Sequence, residues 1–450
     1  MKRRLVLAAL LAAAALPHPA QAQQWLADRN FSEGIGLRVG DLELHPSIGA
    51  EFGYDSNYFQ RDDSEDIIAA FRLRVTPSLS LSTLGQQRRG ANPGLPPMID
   101  FRASAYASYN ELFAAESEHS DEVSDQRHLK IGAGFNMNIA PGRPVGADLF
   151  ADYSQTAEPS NSPEEELAFD RQALRAGLGA TWRPGGGLFE WRVGYDVTAI
   201  FFGNLFSTTT SEFEYLNNLQ HRISTRGRWR FLPRTALLYD GSYTFVRYTD
   251  DLSGPDPSDG DVVRSRFGIN GLITPRLSAL AMIGWVSSFY DHSPDEADTV
   301  TAQAELKYFI MAPPGQTGQQ TAATGLSTVA AGYIRDITNA YLSSYYRRDR
   351  GYLSFVYLLG GMAVFSLEGG YSQLAFPNGP LYQEFAQHRV DARFFAEYRL
   401  SNTVGLNTTV LYDTNMSDAL RPTMATAPGT VEDDLDFTRW QAYLGLRWFM

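Results

Sequence analysis

The arginines of this chain fall into groups of one parity. Arg72 and Arg74, Arg222, Arg226, Arg228 and Arg230, Arg264 and Arg266, and Arg389, Arg393 and Arg399 are each separated by multiples of two. In an extended strand, residues two apart share a face, so each group stacks guanidiniums on one wall. Arg222 to Arg230 form a basic ladder. A guanidinium holds anions by paired hydrogen bonds and stays charged. In a narrow passage such a ladder raises the local anion concentration, which favours anionic sugar residues among other anions. Asp100, Asp148, Asp152, Asp240, Glu305, Glu368, Asp391 and Glu397 share the inward parity. They offer the arginines a second role, cross-strand ion pairs that brace the wall. The two roles are compatible, as in a constriction.

Other chemistry is poorly represented. Cys is absent from all 450 residues, which excludes thiolate metal sites, disulfides and a lipid-anchored Cys. His45, His119, His128, His221, His292 and His388 sit in no catalytic signature, and a Gly-x-Ser-x-Gly elbow is missing. No enzyme activity, cofactor or resident metal is expected. The net charge of -13 argues against nucleic acid, which needs a basic face. Acids cluster in polar stretches: 62–66, 116–125, 164–166, 250–261 and 432–434. None has EF-hand spacing, and clusters of this kind suit divalent cations that bridge lipopolysaccharide phosphates.

The elements that must position the ladder are strands. From Leu42 the even positions read Leu42, Leu44, Ile48, Ala50, Phe52 and Tyr54, against Glu43, His45, Ser47, Gly49, Glu51 and Gly53. Ile67 to Leu81 repeats the alternation, with Arg72, Arg74 and a run of Ser and Thr on the other face. About eighteen such segments follow one another, among them Ile99–Tyr109, Thr328–Arg335, Tyr352–Leu359, Ala363–Tyr371, Val404–Tyr412 and Trp440–Met450. About 10 tilted residues cross a hydrocarbon layer. The predicted fold is therefore all-β, an antiparallel up-and-down transmembrane barrel of about eighteen strands spanning residues 42–450, of bacterial outer-membrane type. Short turns such as Pro141–Pro144, Arg183–Gly187, Leu232–Arg234, Thr274–Arg276, Gly360-Gly361 and Ser401-Asn402 alternate with long polar loops. The connections Leu84–Pro97 and Met311–Thr324 are longer than a periplasmic turn usually is. Hydrophobic content of 44% with 20% charge is compatible with a barrel, because only alternate residues meet lipid.

Residues 1–22, with Lys2, Arg3, Arg4, an apolar run and Ala20-Gln21-Ala22, read as a cleaved signal peptide. Residues 23–41 read as a periplasmic N-terminal segment. Tyr54, Tyr109, Tyr153, Phe201, Phe245, Phe289, Tyr371 and Tyr412 stand where strands meet the long loops, as an interfacial girdle does. Tyr106, Phe150, Phe309 and Phe395 fall on the inward parity, where rings pack sugar faces or fill the lumen. The series Trp440, Ala442, Leu444, Leu446, Trp448, Met450 looks like the terminal-strand signal of outer-membrane proteins, with Phe449 penultimate rather than last.

The stretch Leu42 to Phe59, with Pro46-Ser47-Ile48 and Tyr54-Asp55-Ser56-Asn57, resembles the first strand of the β-barrel porins found with exopolysaccharide export systems. The element returns as Tyr412-Asp413-Thr414-Asn415. The resemblance implies a conduit for a secreted polysaccharide, working with a periplasmic export protein and an inner-membrane copolymerase. From the residues themselves two other readings stand beside it. One is a general diffusion porin for small hydrophilic solutes. The other is a plugged barrel used as a scaffold, with Gln23 to Asp41 inside or below the lumen. In each the expected surroundings are outer-membrane lipid and lipopolysaccharide.

Overall fold

A chain whose side chains alternate apolar and polar buries its backbone hydrogen bonds in a hydrocarbon setting only if the sheet has no edge. The computed structural model shows such a sheet. It describes residues 36–62, 66–83, 98–156, 171–203, 214–249, 259–291, 296–310, 327–340, 345–359, 362–378, 384–423, 429–432 and 435–450. The signal-peptide stretch, residues 23–35, the acids at 63–65, 164–166, 250–258 and 433–434, the Gly360-Gly361 turn, and the connections Leu84–Pro97 and Met311–Thr324 lie outside the described residues.

Among the described residues the strands are β1 (Leu42–Asp55), β2 (Ala70–Thr83), β3 (Ile99–Ala114), β4 (His128–Ile139), β5 (Val145–Thr156), β6 (Arg171–Trp182), β7 (Phe189–Phe202), β8 (Asn218–Leu232) and β9 (Thr235–Tyr248). They continue with β10 (Gly260–Thr274), β11 (Leu277–Tyr290), β12 (Ala297–Phe309), β13 (Thr328–Asn339), β14 (Tyr345–Leu359), β15 (Ala363–Phe376), β16 (Phe385–Arg399), β17 (Val404–Ser417) and β18 (Phe437–Phe449). Each pairs antiparallel with its sequence neighbours, and β18 pairs back onto β1 from Ser47↔Phe449 to Asp55↔Gln441. The expected eighteen-stranded closed barrel is present. The sheet's nineteenth strand is Leu37–Val39, which folds back onto Leu42–Leu44. It lies beside β1 just beyond the point where the C-terminal strand ends, with Met450 N donating to the Pro46 carbonyl.

Strands of 12 to 16 residues exceed the roughly 9–11 needed to span hydrocarbon. The surplus lies largely at the long-loop end and corrects several sequence boundaries. Ile99–Tyr109 runs on to Ala114, Ala363–Tyr371 to Phe376, and Val404–Tyr412 to Ser417. Thr328–Arg335 and Tyr352–Leu359 become Thr328–Asn339 and Tyr345–Leu359. The run Arg347-Arg348-Asp349-Arg350 hid the period because charge occupies both faces there. The Glu111–Gln126 loop contains short helical turns at Ser117–His119 and Ser120–Ser124. The last long loop carries the ribbon Leu420–Thr423 with Gly429–Glu432.

The outward parity is apolar and exposed all round, including Phe52, Leu73, Leu178, Ile283, Leu306, Leu353, Leu367 and Leu444. Tyr109, Phe201, Phe289, Tyr371 and Tyr412 are exposed at its long-loop border. A second aromatic set, Trp182, Trp229, Phe231, Tyr308, Tyr398 and Trp448, is exposed toward the short-turn end. Two girdles of amphipathic rings bounding an apolar band are the signature of a bilayer-facing surface.

The buried apolar core sits mostly inside the long-loop end. Tyr58, Ile68, Leu112 and Val123 form one cluster, Ile200, Phe202 and Leu216 another, and Val286, Ala297 and Ile337 a third. Tyr346, Leu374, Phe376 and Phe385 make a fourth. There residues flanking the strands pack against the inner wall, as Leu216 does on Ile200 and Phe202 while Phe201 faces outward, which explains the consecutive apolar residues Ile200-Phe201-Phe202.

Leu353 is 66% exposed in the middle of β14. Leu353→Arg should destabilise the barrel by about 2–4 kcal/mol, the cost of a charge in mid-bilayer. Ser354→Arg, next along the strand and paired with Glu368, should cost under about 1 kcal/mol. Equilibrium unfolding from lipid vesicles measures both.

Candidate functional site

The charged residues of one parity gather on the concave side. Arg264 on β10 reaches Asp336 on β13 at 2.6 Å and the Ile337 carbonyl at 3.1 Å. Two strands lie between, roughly 14 Å along the sheet at the usual spacing. Side chains can meet over that span only across the inside of a curved wall.

Register then sets the partners. Asp196 stands directly opposite Arg222 and is 3.2 Å from both Arg222 and Arg175. Asp240 stands between Arg226 and Arg266, at 3.2 and 3.0 Å. Glu190 takes Arg183 at 2.6 Å and Arg228 at 3.0 Å. Glu397 lies between Arg447 and Arg399. Asp55 is bonded by both nitrogens of the Arg439 fork and lies 3.8 Å from Arg72. Five carboxylates therefore each face two guanidiniums, so these clusters keep a net positive charge. The reverse occurs on the inner wall at Arg350, which binds both Asp391 at 2.6 Å and Glu368 at 3.1 Å, and on the outward face at Arg247, which lies 2.9 Å from Asp261 and 3.8 Å from Asp259.

Single pairs complete the wall. Arg74 binds Glu51 at 2.6 Å, Arg389 binds Asp413 through a bidentate contact, and Arg192 does the same with Asp148. Lys307 lies 2.9 Å from Glu305, which also accepts from the Tyr352 hydroxyl. Asp100 accepts a hydrogen bond from the Thr83 hydroxyl. Asp152 sits opposite Arg175 and Arg393 opposite Glu368. Arg230 continues the ladder toward the short-turn end. The ladder stays accessible, with Arg226 60% exposed.

The inward aromatics lie against the wall. A Cβ on Gly132 would fall 2.3 Å from Tyr106, and one on Gly177 2.5 Å from Phe150. Only glycine leaves room for each ring to lie over the neighbouring strand. The Arg175 guanidinium then stacks on Phe150 at 4.9 Å.

The Tyr54-Asp55-Ser56-Asn57 element closes the long-loop rim. Tyr54 packs outward on Trp440 and Phe71. Asp55, fully buried, accepts from Arg439, from Gln441 at 2.8 Å and from the Asn57 backbone. The Asn57 side chain donates to the Arg61 carbonyl at 2.6 Å and accepts from the Arg61 amide. In the second copy, Asp413 holds Arg389 and Asn415 donates to the Leu435 carbonyl at 2.9 Å.

Sequence reasoning missed much of this. Glu190, Asp196 and Asp336, with Arg175, Arg192, Arg350, Arg439 and Arg447, share the inward parity and could have been found by it; Glu51, Asp55 and Asp413 stood out in the sequence without their arginine partners. Which acid meets which arginine depends on register and was not accessible. The histidines are occupied elsewhere: His45 approaches the Met450 carbonyl and Glu43, while outward-facing His221 and His388 hydrogen-bond Tyr195 and Tyr371. His119 pairs with Asp66 at 3.1 Å, and Arg61 with Glu122 at 2.5 Å, so part of the acidic loop charge is braced.

No family profile and no curated protein matches the sequence. Among solved structures the chain is similar to OpdK of Pseudomonas aeruginosa crystallised with vanillate, at 10% identity over 90% of this chain and 99% of that one, TM-score 0.45. A BenF-like porin from Pseudomonas fluorescens Pf-5 is 9% identical over 92% of this chain and 100% of that one, TM-score 0.48. OccAB4 of Acinetobacter baumannii is 10% identical over 94% and 100%, TM-score 0.43. Similarity at this level extends no further than the barrel architecture.

Removing a partner from a buried ion pair leaves uncompensated charge. Asp55→Ala, which strips Arg439 and Arg72 of their carboxylate, should destabilise the barrel by about 3–5 kcal/mol. Denaturant unfolding in micelles should resolve that loss.

Proposed function

We propose that this chain is a passive channel of the bacterial outer membrane for small hydrophilic solutes, with a preference for anions. The observation that carries the reading is the inner-face arithmetic of charge: Asp55, Glu190, Asp196, Asp240 and Glu397 each share two arginines. The chain as a whole is acidic at -13, so a basic wall is a local arrangement. A paired guanidinium keeps unused donors, so the same arginine braces the wall and offers hydrogen bonds to a passing carboxylate or phosphate. Arg72, expected in the lining from its parity, is 2% exposed and sealed in the rim beside Asp55, out of reach of a solute; Arg74, Arg222, Arg226, Arg228, Arg230, Arg264, Arg266, Arg389, Arg393 and Arg399 are the proposed basic lining. The acids beside them moderate it, so that solutes are attracted without being trapped. An apolar exterior between two girdles supplies the membrane setting, and no step of passage requires a covalent change.

In planar bilayers under a salt gradient, the reversal potential should report anion preference. Replacing Arg222, Arg226 and Arg228 by Gln should lower the anion-to-cation permeability ratio, on the order of twofold, because field focusing scales with wall charge. An unchanged ratio would count against the ladder as the selective element.

A second reading, passage of a secreted polysaccharide with a periplasmic export protein, rests on the resemblance of Leu42 to Phe59 and on the repeat at Tyr412 to Asn415. A deletion strain should then lose surface polymer while keeping its uptake of small anions. Normal polymer export in that strain would sink the second reading and leave the first standing.

A further inference from the structure

Where the outward face meets the long loops, a single device recurs around the barrel. An aromatic group donates to a polar residue on the same face or an adjoining strand. Tyr109 donates to Glu111, Tyr153 to Gln172, Tyr243 to Asp261, Trp285 to Asp298 and Tyr333 to Asp349. Tyr195 and Tyr371 share hydrogen bonds with Nδ1 of His221 and His388. The rings mark the edge of the hydrocarbon and the polar caps mark the start of the headgroup layer.

The caps differ in charge by sector. Glu111 is matched by Arg127 at 3.9 Å, Arg247 lies between two acids, Asp261 at 2.9 Å and Asp259 at 3.8 Å, and Asp298 caps Trp285. On β13 and β14 the balance inverts, for two arginines flank one acid. Arg335 lies 3.7 Å and Arg347 3.5 Å from Asp349, which already accepts from Tyr333. Both approach through Nε rather than through the terminal nitrogens. Arg335 shares the parity of exposed Val329 and Tyr333, and Arg347 that of exposed Leu353 and Phe355. Both therefore belong to the outward face. Cross-strand register continues the row through Arg335↔Asp349, Asp349↔Gln373 and Gln373↔His388. It extends roughly 14 Å across four strands at the usual spacing, above Tyr333 and Tyr371.

We propose that this sector binds the phosphorylated headgroup of an outer-leaflet glycolipid, with Arg335 and Arg347 as the phosphate ligands. Planar guanidinium forks match phosphate oxygens. Gln373 and His388 stand level with them and offer hydrogen bonds to sugar hydroxyls, while Tyr333 and Tyr371 meet the first carbons of the acyl chains. The proposal rests on the membrane reading above but is independent of what passes through the lumen. A purely structural Arg335–Asp349–Arg347 brace would show no preference for phosphorylated lipid.

The test uses the full-length protein in phosphatidylcholine nanodiscs doped with bisphosphorylated lipid A, with retained lipid counted by native mass spectrometry. The wild type should retain lipid A over its dephosphorylated form, and millimolar inorganic phosphate should not displace it. Arg335→Gln with Arg347→Gln should lower retention about tenfold, roughly the loss of two charge-assisted contacts, while single-channel conductance stays as in the wild type. Arg127→Gln, in the balanced sector, should leave retention unchanged. If the Gln pair does not assemble, Arg335→Lys with Arg347→Lys keeps the charge, removes the forks and should give an intermediate loss. Equal retention of dephosphorylated lipid, or equal retention by the arginine variants, overturns the site. A wild type that inserts and conducts but holds no lipid A overturns the site alone. Failure of the wild type to insert overturns the membrane reading together with it.

Discussion

Closure of the sheet between its first and last strands is the constraint on which the other features depend. Ser47 to Asp55 pair with Phe449 back to Gln441, nearly four hundred residues away in sequence. Without those bonds β1 and β18 would present two rows of unpaired amides and carbonyls to hydrocarbon, where each unsatisfied group costs several kcal/mol. The last few residues show how fully the edge is covered. Met450 donates to the Pro46 carbonyl, His45 approaches the Met450 carbonyl, and Leu37–Val39 continues the pairing beside Leu42–Leu44. Phe449 turns inward beside Arg399 and Arg447, while Trp448 takes the lipid face.

Once the wall is closed, register decides the electrostatics of the interior. An inward charge on one strand has fixed neighbours on two others, so an acid placed between two arginines necessarily serves both. Asp240 between Arg226 and Arg266 is the plainest case. Arg226 is 60% exposed and Asp240 22%, so this triad is only partly desolvated, and a guanidinium's five N–H groups exceed what one shared carboxylate accepts. Under the proposed anion preference, bracing and attraction, which compete for the same side chains on paper, would be carried by different nitrogens of one group. Tyr106 and Phe150 follow the same economy of space, since Gly132 and Gly177 let the rings lie over the sheet.

The period of two was legible throughout because lipid and lumen impose opposite chemistries on alternate residues, and it yielded the strand number and the facing of nearly every segment. It failed where that contrast ends. Near the long loops both faces meet polar surroundings or folded-back loops, so Arg347-Arg348-Asp349-Arg350 and Ile200-Phe201-Phe202 carry no alternation although they are strand. Partner identity was illegible for another reason. The Arg264–Asp336 contact needs the curvature of the closed wall, and Asp55–Arg439 needs the seam. Neither is encoded in local spacing.

The Tyr-Asp-x-Asn element gains a physical account from its two occurrences. Both copies stand at the long-loop end, on β1 and β17, the two strands that flank β18. In each, the aspartate fixes an arginine from the adjacent strand and the asparagine binds loop backbone. The tyrosine of the first copy is seated on Trp440 in β18 itself. The C-terminal strand is therefore gripped on both sides at the rim, by Asp55 through Arg439 and by Asn415 through Leu435. Polar rim contacts of this kind fix register in a way that lipid-facing side chains cannot. Sliding β18 by two residues would keep its apolar face toward lipid but would carry Arg439 away from Asp55. A motif that does this would be retained whatever solute passes, which is why likeness in the first strand speaks more strongly for a shared way of closing the barrel than for a shared cargo.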